Sequence, residues 1–141
     1  MEWLVHDLKP TIDSKYATYP WREATGIGGS SMGGLMSFYG VMAFNQYFFK
    51  AACLSPSFVF CMNQLQVEWD NAQIDNDTNV FFSFGEREIK DHNIPLQQLD
   101  YFNDQLINRG GKSYIHIQKN GKHNEACWKQ QNKLYLDTLW K

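Results

Sequence analysis

The 141-residue sequence predicts an α/β fold with a mainly parallel sheet of about four strands flanked by helices. Three observations carry this prediction. Four short runs of apolar, β-forming or small residues recur along the chain, at 24–28, 51–54, 80–84 and 113–117. The segments between them include runs with apolar residues at helical spacing, long enough to cross from one parallel strand to the next. Gly and Pro mark most junctions. Strands that alternate with helices of this length build right-handed βαβ units, and such units make parallel sheets.

Each element has its own signal. Trp3, Leu4, Leu8 and Ile12 recur near helical spacing, and Pro10 is expected to limit or kink that first helix. Pro20 marks a connecting loop, and Ala24 to Gly28 is the first strand. Leu35, Phe38 and Met42 form the inward stripe of the next helix, with Gly33 and Gly34 at its start for close approach to the sheet. Ala51-Ala52-Cys53-Leu54 is a buried strand ended by Pro56, and residues 61–78 suggest a short helix and loop. Val80 to Phe84 is the third strand. Asn93 as N-cap, Pro95 just inside, and Leu99, Phe102, Leu106 and Ile107 define a helix closed by Arg109-Gly110-Gly111. Ser113 to Ile117 is the last strand and Glu125 to Trp140 the last helix.

Composition bounds the function classes. With 43% hydrophobic and 16% aromatic residues, the chain can bury one core, and residues 1–141 read as one domain. A net charge of −2 gives no electrostatic footprint for nucleic acid. No apolar run reaches membrane-spanning length, and MEWLVHDLKP lacks a basic region followed by an apolar core, so a cytoplasmic location is expected. Cys53, Cys61 and Cys127 are odd in number and form no C-x-x-C pair, which points to reduced thiols rather than disulfides or zinc. Residues 75–79 have the polar start of a calcium loop, but Val80 stands where Gly is needed and no Glu closes the pattern. Neither metal nor cofactor is expected.

One motif carries chemistry. Gly29-Ser30-Ser31-Met32-Gly33 lies between an apolar run and a helical pattern, as a nucleophile elbow does. Only Ser31 has glycines both two before and two after it; Ser30 has Met32 two ahead. Elbow enzymes order their reactive groups as Ser, then Asp or Glu, then His, on loops after successive strands. Here Gly85-Glu86-Arg87-Glu88 follows the third strand, and Gly121-Lys122-His123 follows the fourth. His6, His92 and His116 sit in no such context and read as solvated or hydrogen-bonded histidines.

The segments Ile12-Asp13-Ser14-Lys15-Tyr16, Gly29 to Gly34, Leu54-Ser55-Pro56-Ser57-Phe58 and Gly121 to Trp128 resemble the Putative esterase (esterase D-like) family of α/β-hydrolases over nearly the whole chain. The resemblance implies a serine carboxylesterase for small acyl esters, with Ser31 as nucleophile and His123 as base. The family's Gly-x-x-[Asp/Glu] pattern maps the acid to Glu88, with Glu86, Asp91 and Asp77 as weaker candidates. The N–H of Met32 becomes an oxyanion donor, and Phe58 and Phe60 fall where the acyl-pocket wall often lies.

Members of that family carry further strands before the helix leading into the elbow, whereas Met1 lies almost at that helix. The expectation is therefore a truncated hydrolase fold in which the elbow strand becomes a sheet edge and pairs with another chain, giving a homo-oligomer. Trp3, Trp21 and Tyr47 are candidates to cover the surface so exposed. The alternative reading is a catalytically weak or inactive homologue that self-associates or needs a partner chain.

Overall fold

A computed structural model describes residues 1–88 and 93–140. Four strands, β1 (Gly26–Ser30), β2 (Lys50–Leu54), β3 (Asn79–Gly85) and β4 (Lys112–Gln118), form one sheet in the order β1-β2-β3-β4, all parallel. Each strand pairs with its neighbour in sequence. The connections carry α2 (Met32–Ala43), α3 (Met62–Asn71) and α4 (Asn93–Asn108), and α5 (Glu125–Lys129) and α6 (Asn132–Leu139) follow β4.

Side chains alternate across the sheet, as strand geometry requires, and so build two cores. Ala51, Cys53, Val80, Phe82 and Phe84 enter the larger one, with Phe38 of α2, Trp69 of α3 and Phe102 of α4. The Phe38 ring lies 4.7 Å from Phe102 and 5.5 Å from Phe82 between ring centres, within the range where aromatic pairs attract beyond their area burial. Ala52, Leu54 and Phe81 face the other way, against Trp128 of α5 and Leu139 of α6. The sheet is thus a middle layer between two helical layers.

Three expectations shift. A π-helical stretch, Leu4–Leu8, leads directly into α1 (Lys9–Lys15), and Pro10 sits in the first turn of α1 rather than ending the helix. The Lys9 N–H reaches back five residues to Leu4 O, so the helix widens just before the residue that has no N–H to give. The first strand runs Gly26–Ser30, beyond the expected Ala24–Gly28, because its register against β2 pairs Gly26 with Lys50 and Ser30 with Leu54. Residues Arg22–Ala24 form a 3₁₀ turn instead. The last helix is broken in two. In a continuous helix the Gln131 N–H would reach Cys127 O; it goes to Trp128 O at 3.0 Å, and the Gln131 side-chain amide donates to Cys127 O at 3.4 Å.

Candidate active site

The loops after all four strands deliver the site at the sheet's carboxyl end, where open α/β sheets hold their ligands. Ser31 follows the last residue of β1 and precedes the first of α2, with φ of 56° and ψ of −120°. A non-glycine residue seldom adopts a positive φ, and one held there marks a backbone fixed by its surroundings. Its N–H donates to Leu54 O at 2.9 Å, and its own C=O accepts from the Ser57 N–H at 3.2 Å. Gly29 makes the turn possible: a Cβ there would lie 2.6 Å from the Gly33 carbonyl carbon. Gly33 has open space where a Cβ would go, so its place in the motif has no such steric reason within the described residues. Gly34 is the helix glycine that meets the sheet, with Leu54 O 2.9 Å from its ideal Cβ.

The loops after β3 and β4 are stitched together. Glu86 N–H donates to Gln118 O at 3.1 Å, Arg87 N–H to Gly121 O at 2.8 Å, and the Glu86 carboxylate accepts from Asn120 N–H at 2.8 Å. A Cβ on Gly85 would fall 2.7 Å from the Gly121 carbonyl carbon, so this close approach also needs glycine. His123 comes just before α5, whose N-cap Asn124 accepts from Cys127 N–H at 3.0 Å.

These elements bring Ser31, Glu88 and His123 together. His123 Nε2 lies 2.9 Å from Ser31 Oγ, and His123 Nδ1 lies 2.8 Å from Glu88 Oε2. The Glu88 side chain is 2% exposed and that of His123 42%. The other carboxylate oxygen of Glu88 accepts from Ser55 Oγ at 2.5 Å and from Gly85 N–H at 2.6 Å. As the first residue of α2, Met32 keeps its N–H out of the helical ladder and available beside Ser31.

The other acid candidates go elsewhere. Glu86 ties the loops as described, and Asp77 pairs with Arg22 at 2.9 Å, in a cluster with Asn45 and Thr78. Asp91 and His92 lie outside the described residues. His6 meets Glu2 at 2.9 Å and His116 meets Gln118 at 3.0 Å. Among the described residues no group of three His, Cys, Asp or Glu side chains is placed to hold a metal ion, and no helix is long and apolar enough to cross a membrane.

A cavity of about 350 Å³ opens beside Ser31 and His123, with Pro56, Val59, Phe60, Phe84 and Pro95 among its walls. Phe60 is 76% exposed at its rim. Phe58 is not a wall: it is 1% exposed and packs against Phe38 and Phe102. Both belong to one 3₁₀ turn, Phe58–Phe60, in which residues two apart point about 120° away from each other. Ser55, Ser57 and Trp128 also reach the site, and no motif of their own marks them in the sequence. Ser57 Oγ lies 3.3 Å from Ser31 Oγ, and the Trp128 indole donates to Ser55 Oγ at 2.9 Å. Their only prior signal was their place in segments that resemble the family.

The fold and the elbow define a protein of the α/β-hydrolase class. The Putative esterase family model matches residues 2–133, and the chain belongs to that family. Among solved structures it is similar to the enterobactin esterase of Shigella flexneri, at 17% identity and a TM-score of 0.78, covering 98% of this chain and 38% of that one. It is also similar to the S-formylglutathione hydrolase of Staphylococcus aureus, at 16% identity and TM-score 0.69, over 98% of this chain and 61% of that one. A ferulic acid esterase gives 16% and 0.73, over 99% and 59%. The chain therefore spans between about a third and two thirds of the length of these structures. None of the curated proteins matches it in sequence.

Proposed function

We propose that this chain hydrolyses small acyl esters through an acyl-enzyme intermediate on Ser31. The observation that carries the reading is the hydrogen-bonded run from Ser31 Oγ through the His123 ring to the buried Glu88 carboxylate. A carboxylate facing Nδ1 holds the proton on that nitrogen and leaves Nε2 as the acceptor. His123 then takes the hydroxyl proton as Ser31 Oγ bonds to the ester carbonyl carbon. The carbonyl electron pair moves onto its oxygen, which meets the Met32 N–H. Collapse of this intermediate breaks the bond to the alcohol oxygen, and His123 returns the proton to that leaving group. Water repeats the sequence on the acyl-enzyme, releasing the acid. Glu88 stays ionised throughout, orienting the imidazole and stabilising its charged form.

The cavity supports a small acyl group, since about 350 Å³ is at the lower end of ligand-pocket volumes. The structural neighbours are named for different esters, and their names favour no particular substrate here. The test is labelling of the purified chain with a fluorophosphonate beside Ser31→Ala. Labelling of the native chain alone is the expected result; a folded native chain that stays unlabelled and turns over no ester would overturn the reading.

The free edge of β1 belongs to the same proposal. Among the described residues β1 pairs only with β2, and grooves of about 500 and 470 Å³ flank its glycines on either side of the sheet. Unpaired backbone at such an edge is a template for another strand. Self-association through it is expected, and a size measurement finding only monomer at micromolar concentration contradicts it.

A further inference from the structure

We infer that Trp128 and Ser55 form a positioning relay that sets the direction of the hydrogen bonds running from Trp128 through Glu88 and His123 to Ser31. The inference rests on the hydrolytic reading of Ser31, His123 and Glu88. Its starting point is that an indole nitrogen can only donate. Trp128 Nε1 lies 2.9 Å from Ser55 Oγ, so that oxygen is the acceptor. Ser55 has one hydroxyl hydrogen left to place, and Glu88 Oε1 stands 2.5 Å away. The hydroxyl therefore donates to the carboxylate.

Glu88 Oε1 also accepts from Gly85 N–H at 2.6 Å, so two fixed donors converge on that one oxygen. Oε2 is left facing His123 Nδ1 at 2.8 Å. The sequence Trp128 N–H to Ser55 O–H to Glu88, with His123 Nδ1–H donating from the opposite side, leaves Nε2 unprotonated toward Ser31. Ser55 is itself 2% exposed, and its N–H donates to Ser83 O at 2.8 Å, so its backbone is anchored to β3. Trp128 acts at both ends of the relay. Its ring meets the His123 ring at 4.9 Å and 83°, which holds the imidazole plane while the indole N–H orders the carboxylate.

Trp128 also packs in the smaller core with Leu54, Phe81 and Leu139, and a purely structural role is the rival account. Trp128→Phe separates the two, because it keeps an aromatic ring in the core and removes the N–H. Ser55→Ala removes the central hydroxyl. Two readouts apply: the low-field His123 Nδ1–H resonance with the imidazole titration, assigned against His123→Gln, and kcat and KM for p-nitrophenyl acetate.

The expected result is a resonance that shifts or broadens in both variants and an altered imidazole titration. The kcat should fall about 10- to 100-fold at unchanged KM, by analogy with the loss when the hydrogen-bond partners of metal-binding histidines are removed. The double variant should be no worse than Ser55→Ala alone, since both changes cut one relay. Unchanged resonance and titration in both single variants, or a double loss equal to the product of the single losses, would overturn the relay. A wild-type chain that neither labels nor turns over ester would instead overturn the hydrolytic reading, and the resonance comparison would still decide whether the relay exists.

Discussion

β1 and β3 belong to one parallel sheet yet do opposite work. β3 is buried along its whole length and places Val80, Phe81, Phe82 and Phe84 into the two cores. β1 has three glycines in five residues, has one edge unpaired among the described residues, and is half exposed. Burial of large side chains makes β3 a source of stability. β1 contributes little burial; its value lies in backbone geometry that no side chain interrupts. The comparison teaches that the precision of the elbow at Ser31 and the bulk of the core's stability reside in different strands.

That division can be broken by substitution. Phe82→Ala removes a fully buried ring from the larger core and should cost about 3–5 kcal/mol in urea unfolding, while folded molecules keep their rate of fluorophosphonate labelling. Gly29→Ala is the reverse case, because its Cβ meets Gly33 backbone at 2.6 Å and the elbow must shift. Labelling should slow at least about 100-fold, since misplacing a reacting group by an ångström costs that much. A variant of Gly29 that labels normally would show that the elbow tolerates the added atom.

Gly33→Ala sharpens the contrast within the motif itself. With nothing within 4 Å of the new Cβ, this change in the first turn of α2 should be neutral or raise stability by at most about 1 kcal/mol. A loss of stability would mean that the space beside β1 is filled in solution.

The smallest effect lies in the helix beside β1. Hydrogen bonds from Lys9 at 2.6 Å and Thr18 at 2.8 Å hold the Asp13 carboxyl below its ordinary value of 3.8. A depressed carboxylate pKa stabilises the fold above the unfolded value and loses that contribution as pH falls through the folded one. The difference in melting temperature between the native chain and Asp13→Asn should therefore shrink between pH 5 and pH 3. It should be small throughout, because the ion pair is solvent-screened.

Much of this molecule is legible in its sequence where side chains carry the signal. The apolar runs that became β2, β3 and β4 and the stripe of α4 announce themselves by type and spacing. β1 lies two residues beyond its expected span at each end because Gly-Ile-Gly-Gly-Ser offers almost no side-chain pattern; its bounds come from pairing with β2. The break between α5 and α6 has no Gly or Pro to mark it and depends on which donor reaches Cys127 O. Ser31 and His123 could be nominated from motif and order, and Glu88 only through the resemblance to the family, but Ser55 and Trp128 could not. Nothing in their local sequence says that residues 73 positions apart share a hydrogen bond. Phe58 and Phe60 read alike in sequence and were parted only by the pitch of a 3₁₀ turn.

The sequential order of the strands has a consequence in time. Each strand of the sheet joins one already close to it along the chain, so pairing can advance from either end at modest loop-closure cost. Ser31 and His123 are 92 positions apart, and they meet only after β4 and the loop beyond it have docked. In a refolding experiment, reactivity toward a fluorophosphonate should therefore trail the far-ultraviolet signal, making the chemistry of Ser31 a clock for the last step of assembly.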